Sequence, residues 1–264
     1  MSSRITALWC WYHGGPCRGY QSQVEGPTVQ GVLTAAMRAA GIERGSVVAG
    51  RTDLGVHARM QVVSVRLDDG MPISDLAARI NAGLPAGVGV AQAAEAPLHF
   101  SAQWKAEGKQ YRYRLLLNDD SAWSPFAWRV DVDPARVAQV LRHALGTHDF
   151  WAFHEKASPR INRTITKVEV VEPAPGRVDL RLTGSGFGRY QVRYLVGSAV
   201  AVARGEVREE DFLAGIDRAV LFDGVKAPAQ GLTLWEVLYP AAFDPFPLPA
   251  RVASAGVPNG PPFV

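Results

Sequence analysis

The sequence predicts an α+β protein made of two successive βαββαβ halves, each holding an antiparallel sheet. Three observations carry this. Apolar residues switch between a spacing of two and a spacing of three to four in the order βαββαβ, twice over. Helix caps and glycine or proline turns punctuate most of the switches. The chain has 264 residues, 47% hydrophobic and 20% charged, which is enough apolar material for one large core or two small ones.

In the first half a strand is predicted over residues 5–12, followed by the turn Gly14-Gly15-Pro16. Thr28 is a helix N-cap, and Val29, Val32, Leu33, Ala36, Met37 and Ala40 repeat on one helical face until Gly41 stops it. Short strands are expected over 47–49 and 61–67, a helix over 74–82 and a strand over 88–93.

The second half opens with a strand over 110–117, where Tyr111, Tyr113, Leu115 and Leu117 alternate onto one face. Asp133 and Pro134 start a helix bearing Val137, Val140, Leu141 and Leu145, closed by Gly146. Strands over 164–171 and 178–182, helices over 189–203 and 209–219, and a strand over 233–239 complete it. The expected division is therefore 1–104, 105–242 and a tail, 243–264, whose proline and glycine content predicts an irregular, partly disordered segment. Repeated split-βαβ units join their sheets with a cleft at the junction, and the same unit underlies many RNA-binding modules as well as unrelated functions.

Composition excludes some classes. No apolar run is long enough for a membrane span, and residues 1–6 lack the basic-then-apolar layout of a secretion signal, so a cytoplasmic protein without membrane contact is expected. Cys10 and Cys17 are the only cysteines, too few for a disulfide framework. With His13 they lack a fourth ligand nearby, and His148, Asp149 and His154 form no compact set either, so no metal is expected. The net charge is only +3, yet the basic residues are mostly arginine and cluster in 105–114 and 156–167. Arginine's planar fork suits phosphate, although a solvated charged face has the same composition.

The most informative stretch is Gly50-Arg51-Thr52-Asp53-Leu54-Gly55-Val56-His57-Ala58, between two strand-like runs. Flanking glycines allow a sharp turn and close approach of a ligand. Asp53 is equally the residue type that bonds its own backbone in a turn, and the loop alone leaves both readings open. Arg193 is the one charged residue in an otherwise apolar helical segment with Val192, Leu195, Val196, Val200 and Val202. Such a guanidinium either snorkels to water or meets an anion.

This loop resembles the signature of the tRNA pseudouridine synthase family that modifies the anticodon arm, with Leu54 in place of the usual alanine. The resemblance continues through Gly19-Tyr20-Gln21, Thr28-Val29-Gln30-Gly31, Asn81 with Leu84-Pro85, Tyr111-Arg112-Tyr113, His148-Asp149-Phe150, Val192-Arg193, Val196-Gly197, Ala227-Pro228 and Gly231-Leu232. It spans residues 5–240 and implies the pseudouridine synthase fold, two ferredoxin-like halves around a central cleft. It also implies conversion of uridine to pseudouridine at tRNA position 38, 39 or 40, with tRNA as partner and a homodimer as the working form.

By that resemblance Asp53 is the catalytic carboxylate, either attacking ribose C1′ or assisting departure of the uracil. Arg193 is the basic residue expected against it, keeping it ionised. Tyr111 is the ring expected to stack on the target uracil, although alternation alone does not separate it from Tyr113. Arg51 fills the space vacated by the extracted base, Leu232 packs on the base, and Thr52 and His57 complete the substrate-binding set. No cofactor is implied, since the isomerisation is redox-neutral and no Gly-rich nucleotide loop is present. Where the family has Phe-His-Ala-Arg this chain has Phe100-Ser101-Ala102-Gln103, Tyr20 replaces a tryptophan, and Gln191 replaces a methionine. Two rival readings use the same residues: a non-catalytic tRNA-binding or tRNA-folding protein, and an acid-base enzyme acting on a small molecule with Asp53 as base.

Overall fold

The apolar run near the start of the chain becomes β1 (Ser3–Tyr12) in a computed structural model that describes residues 3–155, 161–217, 223–253 and 256–264. The chain divides into two units, Met1–Glu107 with Leu234–Val264, and Gly108–Thr233. Relative to the expected division, the last strand and the tail return to the first unit instead of following the second.

In the first unit β1 lies between β3 (His57–Asp68) and β4 (Val88–Glu95), antiparallel to both, and β2 (Val47–Val48) pairs antiparallel with β3. Helices α1 (Val29–Ala39) and α2 (Leu76–Asn81) complete the predicted βαββαβ order. Thr28 caps α1 as expected, its Oγ1 accepting the Gly31 N–H at 3.1 Å. Strand β3 starts earlier than alternation predicted, because Ala58 pairs with Tyr12 at the end of β1 and draws His57 out of the loop. Helix α2 stops at Asn81, whose side-chain amide donates to Val90 O at 2.9 Å and accepts from Val90 N at 2.7 Å, stitching the helix end to β4.

Ala7, Leu8, Trp9 and Cys10 are all fully buried, so β1 is covered on both faces. Part of that cover is the tail, whose described residues are irregular apart from the short helical stretches 241–243 and 248–253. Trp9 and Trp11 alternate onto one face and meet Phe246 and Phe263 with ring centroids 5.8 and 5.9 Å apart. Between them α6 (Leu248–Ala253) carries Arg251, which donates to Phe246 O at 2.7 Å, Glu236 at 2.5 Å and Asp244 at 2.6 Å. Arg59 of β3 donates to Arg251 O at 3.1 Å while its guanidinium lies over the rings of Trp9 and Trp235. The two cysteines are free thiols; burial pushes Cys10 up to about 12 and raises Cys17, so neither is a ready nucleophile.

The second unit runs β5 (Gly108–Leu116), β6 (Trp128–Arg129), α3 (Pro134–Arg142), β7 (Gly146–His148), β8 (Arg163–Ala174), β9 (Arg177–Gly184), α4 (Gln191–Ala203) and α5 (Glu209–Asp217). Strands β5, β9, β8 and β7 pair antiparallel in that order, and the short β6 runs parallel to β5. Both α+β halves are thus present, each on an antiparallel sheet. Asp133 caps α3 by accepting from Ala135 N at 2.9 Å, but the helix ends at Arg142 and leaves Leu145 exposed. Likewise Leu117 falls past the end of β5 and is exposed, while Tyr113 and Leu115 are buried as alternation predicted. Residues 218–219 of the expected short helix, and 156–160 of the second basic cluster, lie outside the described residues. The strand predicted over 233–239 is β10 (Leu232–Leu238), along which the chain passes back to the first unit.

Opposite the tyrosine face, the buried Asp179 of β9 accepts from Arg114 of β5 at 2.6 Å, with Arg112 3.7 Å away. The guanidinium groups of Arg114 and Arg177 lie over the Trp123 ring at 4.2 and 4.1 Å.

Because Arg251 answers two carboxylates that are themselves mostly shielded, Arg251→Met is expected to lower the unfolding free energy by about 3 kcal/mol, the low end for breaking a buried ion pair. Urea denaturation measures the loss, and limited proteolysis should find residues 244–264 cleaved first.

Candidate active site

Asp53 sits in a loop that is fastened on both sides. On its N-terminal side, Gln61 Nε2 donates to Gly50 O at 2.6 Å, Thr52 Oγ1 shares a 2.7 Å hydrogen bond with the Tyr12 phenol, and Tyr20 N donates to Thr52 O at 3.0 Å. Gln61 Nε2 also reaches the Tyr12 oxygen at 3.3 Å, so one buried phenol ties β1, β3 and the loop together. Burial pushes Tyr12 well above its ordinary range, more than these hydrogen bonds offset, which keeps it a neutral hydrogen-bonding group.

On the C-terminal side, Val56 N donates to Asp53 O at 3.1 Å, closing a turn in which Gly55 takes φ +84°. Gly14 packs directly on that turn: a Cβ there would lie 2.3 Å from the Gly55 carbonyl carbon. Its N–H donates to His57 Nδ1 at 2.9 Å, and the His13 ring meets His57 edge to face at 6.0 Å. Burial lowers the pKa of His13, favouring the neutral imidazole. The resulting loop buries Thr52 and His57, leaves Asp53 half-buried, and turns Arg51 and Leu54 to the exterior.

The other predicted residues belong to the second unit. Tyr113 is fully buried and donates its phenol to Pro228 O at 2.8 Å, whereas Tyr111 keeps slight exposure and rests edge to face on Phe187 at 5.2 Å. Alternation could not separate these rings; burial and bonding give Tyr113 a structural place. Arg193, half-buried on the first turn of α4, donates from Nε to Ala227 O at 2.8 Å and accepts from Ala227 N at 3.0 Å through its carbonyl. One turn further, a Cβ on Gly197 would lie 2.2 Å from Val225 O, and Ser198 Oγ accepts from Val225 N at 3.2 Å. Segment 225–228 is therefore strapped to α4 and to Tyr113, and it leads through Gly231 into Leu232, which is buried.

A feature that sequence reasoning missed surrounds Tyr190, the residue before α4, which holds the left-handed φ of 63°. The cationic groups of Arg189, Arg193 and Lys226 lie over its ring at 4.8, 5.2 and 4.4 Å. Tyr12, Gly14 and Gln61, which fasten the Asp53 loop, were missed as well. Their sequence signals were a tyrosine ending an apolar strand, a glycine pair directly after it, and a polar residue inside a β-branched run.

Arg51, Thr52, Asp53 and His57 are thus gathered within the first unit, and Tyr111, Arg193 and Leu232 within the second. No helix among the described residues is long and apolar enough to cross a membrane.

A family model described as tRNA pseudouridine synthase matches residues 140–240. A tRNA pseudouridine synthase A of Geobacter sp. (strain M21) is 37% identical over 243 residues, covering 87% of this chain and 96% of that protein. Its counterpart from Roseiflexus sp. (strain RS-1) is 37% identical over 257 residues, covering 90% and 91%. Among solved structures, a Cbf5-Nop10-Gar1 complex aligns over 74% of this chain and 45% of that one at 15% identity and a TM-score of 0.37, too loose a likeness to argue from. The class defined is that of the pseudouridine synthases, which are isomerases. Within it, the chain belongs to the tRNA pseudouridine synthase A family.

The packing of Gly14 on Gly55 sets up a paired test. Gly14→Ala forces the loop off β1 and is expected to cost about 1–3 kcal/mol by overpacking. Gly15→Ala, with nothing within 4 Å of the added carbon, should leave urea denaturation unchanged.

Proposed function

We propose that the protein isomerises uridine to pseudouridine at position 38, 39 or 40 in the anticodon arm of tRNA, with the Asp53 carboxylate as the catalytic group. The observation that carries this reading is the fastening of the Asp53 loop. Bonds to Gly50, Thr52 and the following turn fix the backbone on either side of a half-buried carboxylate, while the residue types of the loop, Leu54 apart, resemble the family signature. A group held in place beforehand needs little reorganisation when it reacts.

In the proposed reaction the bond from ribose C1′ to uracil N1 breaks, the base turns, and a bond from C1′ to C5 forms. The C5 proton leaves and N1 ends protonated, so no oxidant or energy source is needed. Asp53 either attacks C1′ to form a transient ester or assists departure of the uracil, and it must be ionised for both. Arg193 is assigned the cationic role toward Asp53. Its Nε is engaged by Ala227 and its remaining N–H donors suit an anion. Tyr111 is assigned to the target base; a stacked base contributes about 1–3 kcal/mol, which offsets part of the cost of extracting the nucleotide. Arg51, exposed on the loop, fills the vacated space, and Leu232, Thr52 and His57 complete the substrate-binding set. The cations gathered at Tyr190 suit the phosphates of an RNA partner. The working form in this reading is a cytoplasmic homodimer, since an anticodon arm is long enough to touch two subunits.

Unmodified tRNA transcripts incubated with the protein, labelled with carbodiimide and read by reverse transcription should stop in the anticodon arm. Asp53→Asn should abolish the stops while tRNA binding survives, and Arg193→Met should lower turnover by about a hundredfold or more, as expected for loss of a preorganised charge. Stops with Asp53→Asn would reject the catalytic assignment, and binding without modification by the unaltered protein would favour a tRNA-binding or tRNA-folding role.

A further inference from the structure

We propose that Phe263, far from the loop in sequence, is a positioning residue for Asp53, acting through His13 and His57 on the C-terminal side of the loop. This rests on the catalytic reading of Asp53 given above and adds a part of the chain that no comparison singles out: the matching family model ends at residue 240.

The ring of Phe263 is almost completely buried. It meets the rings of His13 at 5.2 Å and 63°, and of Trp11 at 5.9 Å and 68°. Trp11 in turn touches His13 edge to face at 6.1 Å, so the histidine is wedged between two aromatic side chains. Its backbone is anchored as well, His13 N donating to Gly87 O at 2.8 Å. The exposed side of this wedge is closed by the tail, and its inner side presses on His57 at 6.0 Å.

His57, the first residue of β3, is the link next to the Asp53 turn. Its Nδ1 receives the Gly14 N–H at 2.9 Å, and Gly14 is the residue whose backbone touches Gly55 two positions after Asp53. Every link from Phe263 to that turn is therefore a direct contact between buried or half-buried groups. Close-packed interiors transmit displacement, since a void removes contacts that the neighbours cannot regain without moving. Loss of the Phe263 ring removes one of the aromatic contacts that hold His13 against the His57 ring, which in turn orients Gly14.

The tail reaches this position because its backbone is laid directly on β4. A Cβ on Gly256, whose φ is +90°, would lie 2.6 Å from Ala91 O. Gly256→Ala thus lifts the tail from a second point without altering Trp11, His13 or His57.

Hydrogen-exchange mass spectrometry combined with steady-state kinetics tests the inference. Phe263→Ala is expected to speed exchange in peptides spanning 13–14 and 54–57 and to lower kcat by about tenfold, a modest fraction of what a misplaced reacting group loses. The dissociation constant for tRNA and the circular dichroism should stay unchanged, and Phe263→Met, which can refill the aromatic pocket, should recover most of kcat. Gly256→Ala should reproduce both effects. Unaltered exchange in 54–57, or faster exchange with unaltered kcat, would overturn the positioning role; so would a loss confined to KM. Asp53→Asn, run alongside, separates the two claims: if it retains activity the catalytic reading fails, while the exchange result still reports whether Phe263 holds the loop.

Discussion

The structure of the first unit depends on one constraint, the anchoring of residues 50–57 to the end of β1. The Tyr12 phenol meets Thr52 and Gln61, and Gly14 meets Gly55 and His57. A buried hydrogen bond contributes about 1 kcal/mol net, and a buried polar group left without a partner costs about 1–3 kcal/mol, so the network is far more expensive to half-break than to keep. With its neighbours on both sides held in this way, Asp53 has little backbone freedom of its own. A loop ordinarily brings mobility, and these contacts restrict it around the carboxylate to which the proposed function assigns the reaction.

Structural and chemical tasks fall on adjacent residues throughout. Thr52 is buried and bonded while Asp53 beside it is half open. Tyr113 holds Pro228 while Tyr111, on the same strand face, keeps some exposure. Arg193 and Gly197 share one side of α4, the arginine bonding Ala227 and the glycine admitting the backbone of Val225. In each pair a buried, bonded residue fixes the backbone frame that its more exposed neighbour shares.

Much of this was legible in the sequence. Caps at Thr28 and Asp133, and alternation in β5, gave elements whose determinants are local; the order βαββαβ holds in the first half, while the second adds the short strands β6 and β7. Elements whose limits are set by distant partners were read less well. His57 joins β3 because Tyr12 pairs with Ala58, and α2 ends where Asn81 finds Val90. The packing of the tail is not written in its proline and glycine content, because Phe246 and Phe263 meet Trp9, Trp11 and His13, partners more than two hundred residues away. A signal was present: the unbroken apolar run from Ala7 to Tyr12 belongs to a strand covered on both faces, and something had to supply the second cover. The proposed site was singled out for a different reason. A glycine-flanked aspartate alone is ambiguous, and only the ordered series of further motifs across both halves made Asp53 stand out.

The central claim is that the carboxylate works because of where the anchored loop holds it, and the most direct test moves that carboxylate without removing its charge. Single-turnover release of tritium from tRNA labelled at uridine C5 reports the loss of the C5 proton. Asp53→Glu, which extends the carboxylate by one methylene, is predicted to lower the release rate by about a hundredfold or more, as expected for a displacement on the order of 1 Å. Release by Asp53→Glu within a few fold of the unaltered protein would contradict the account.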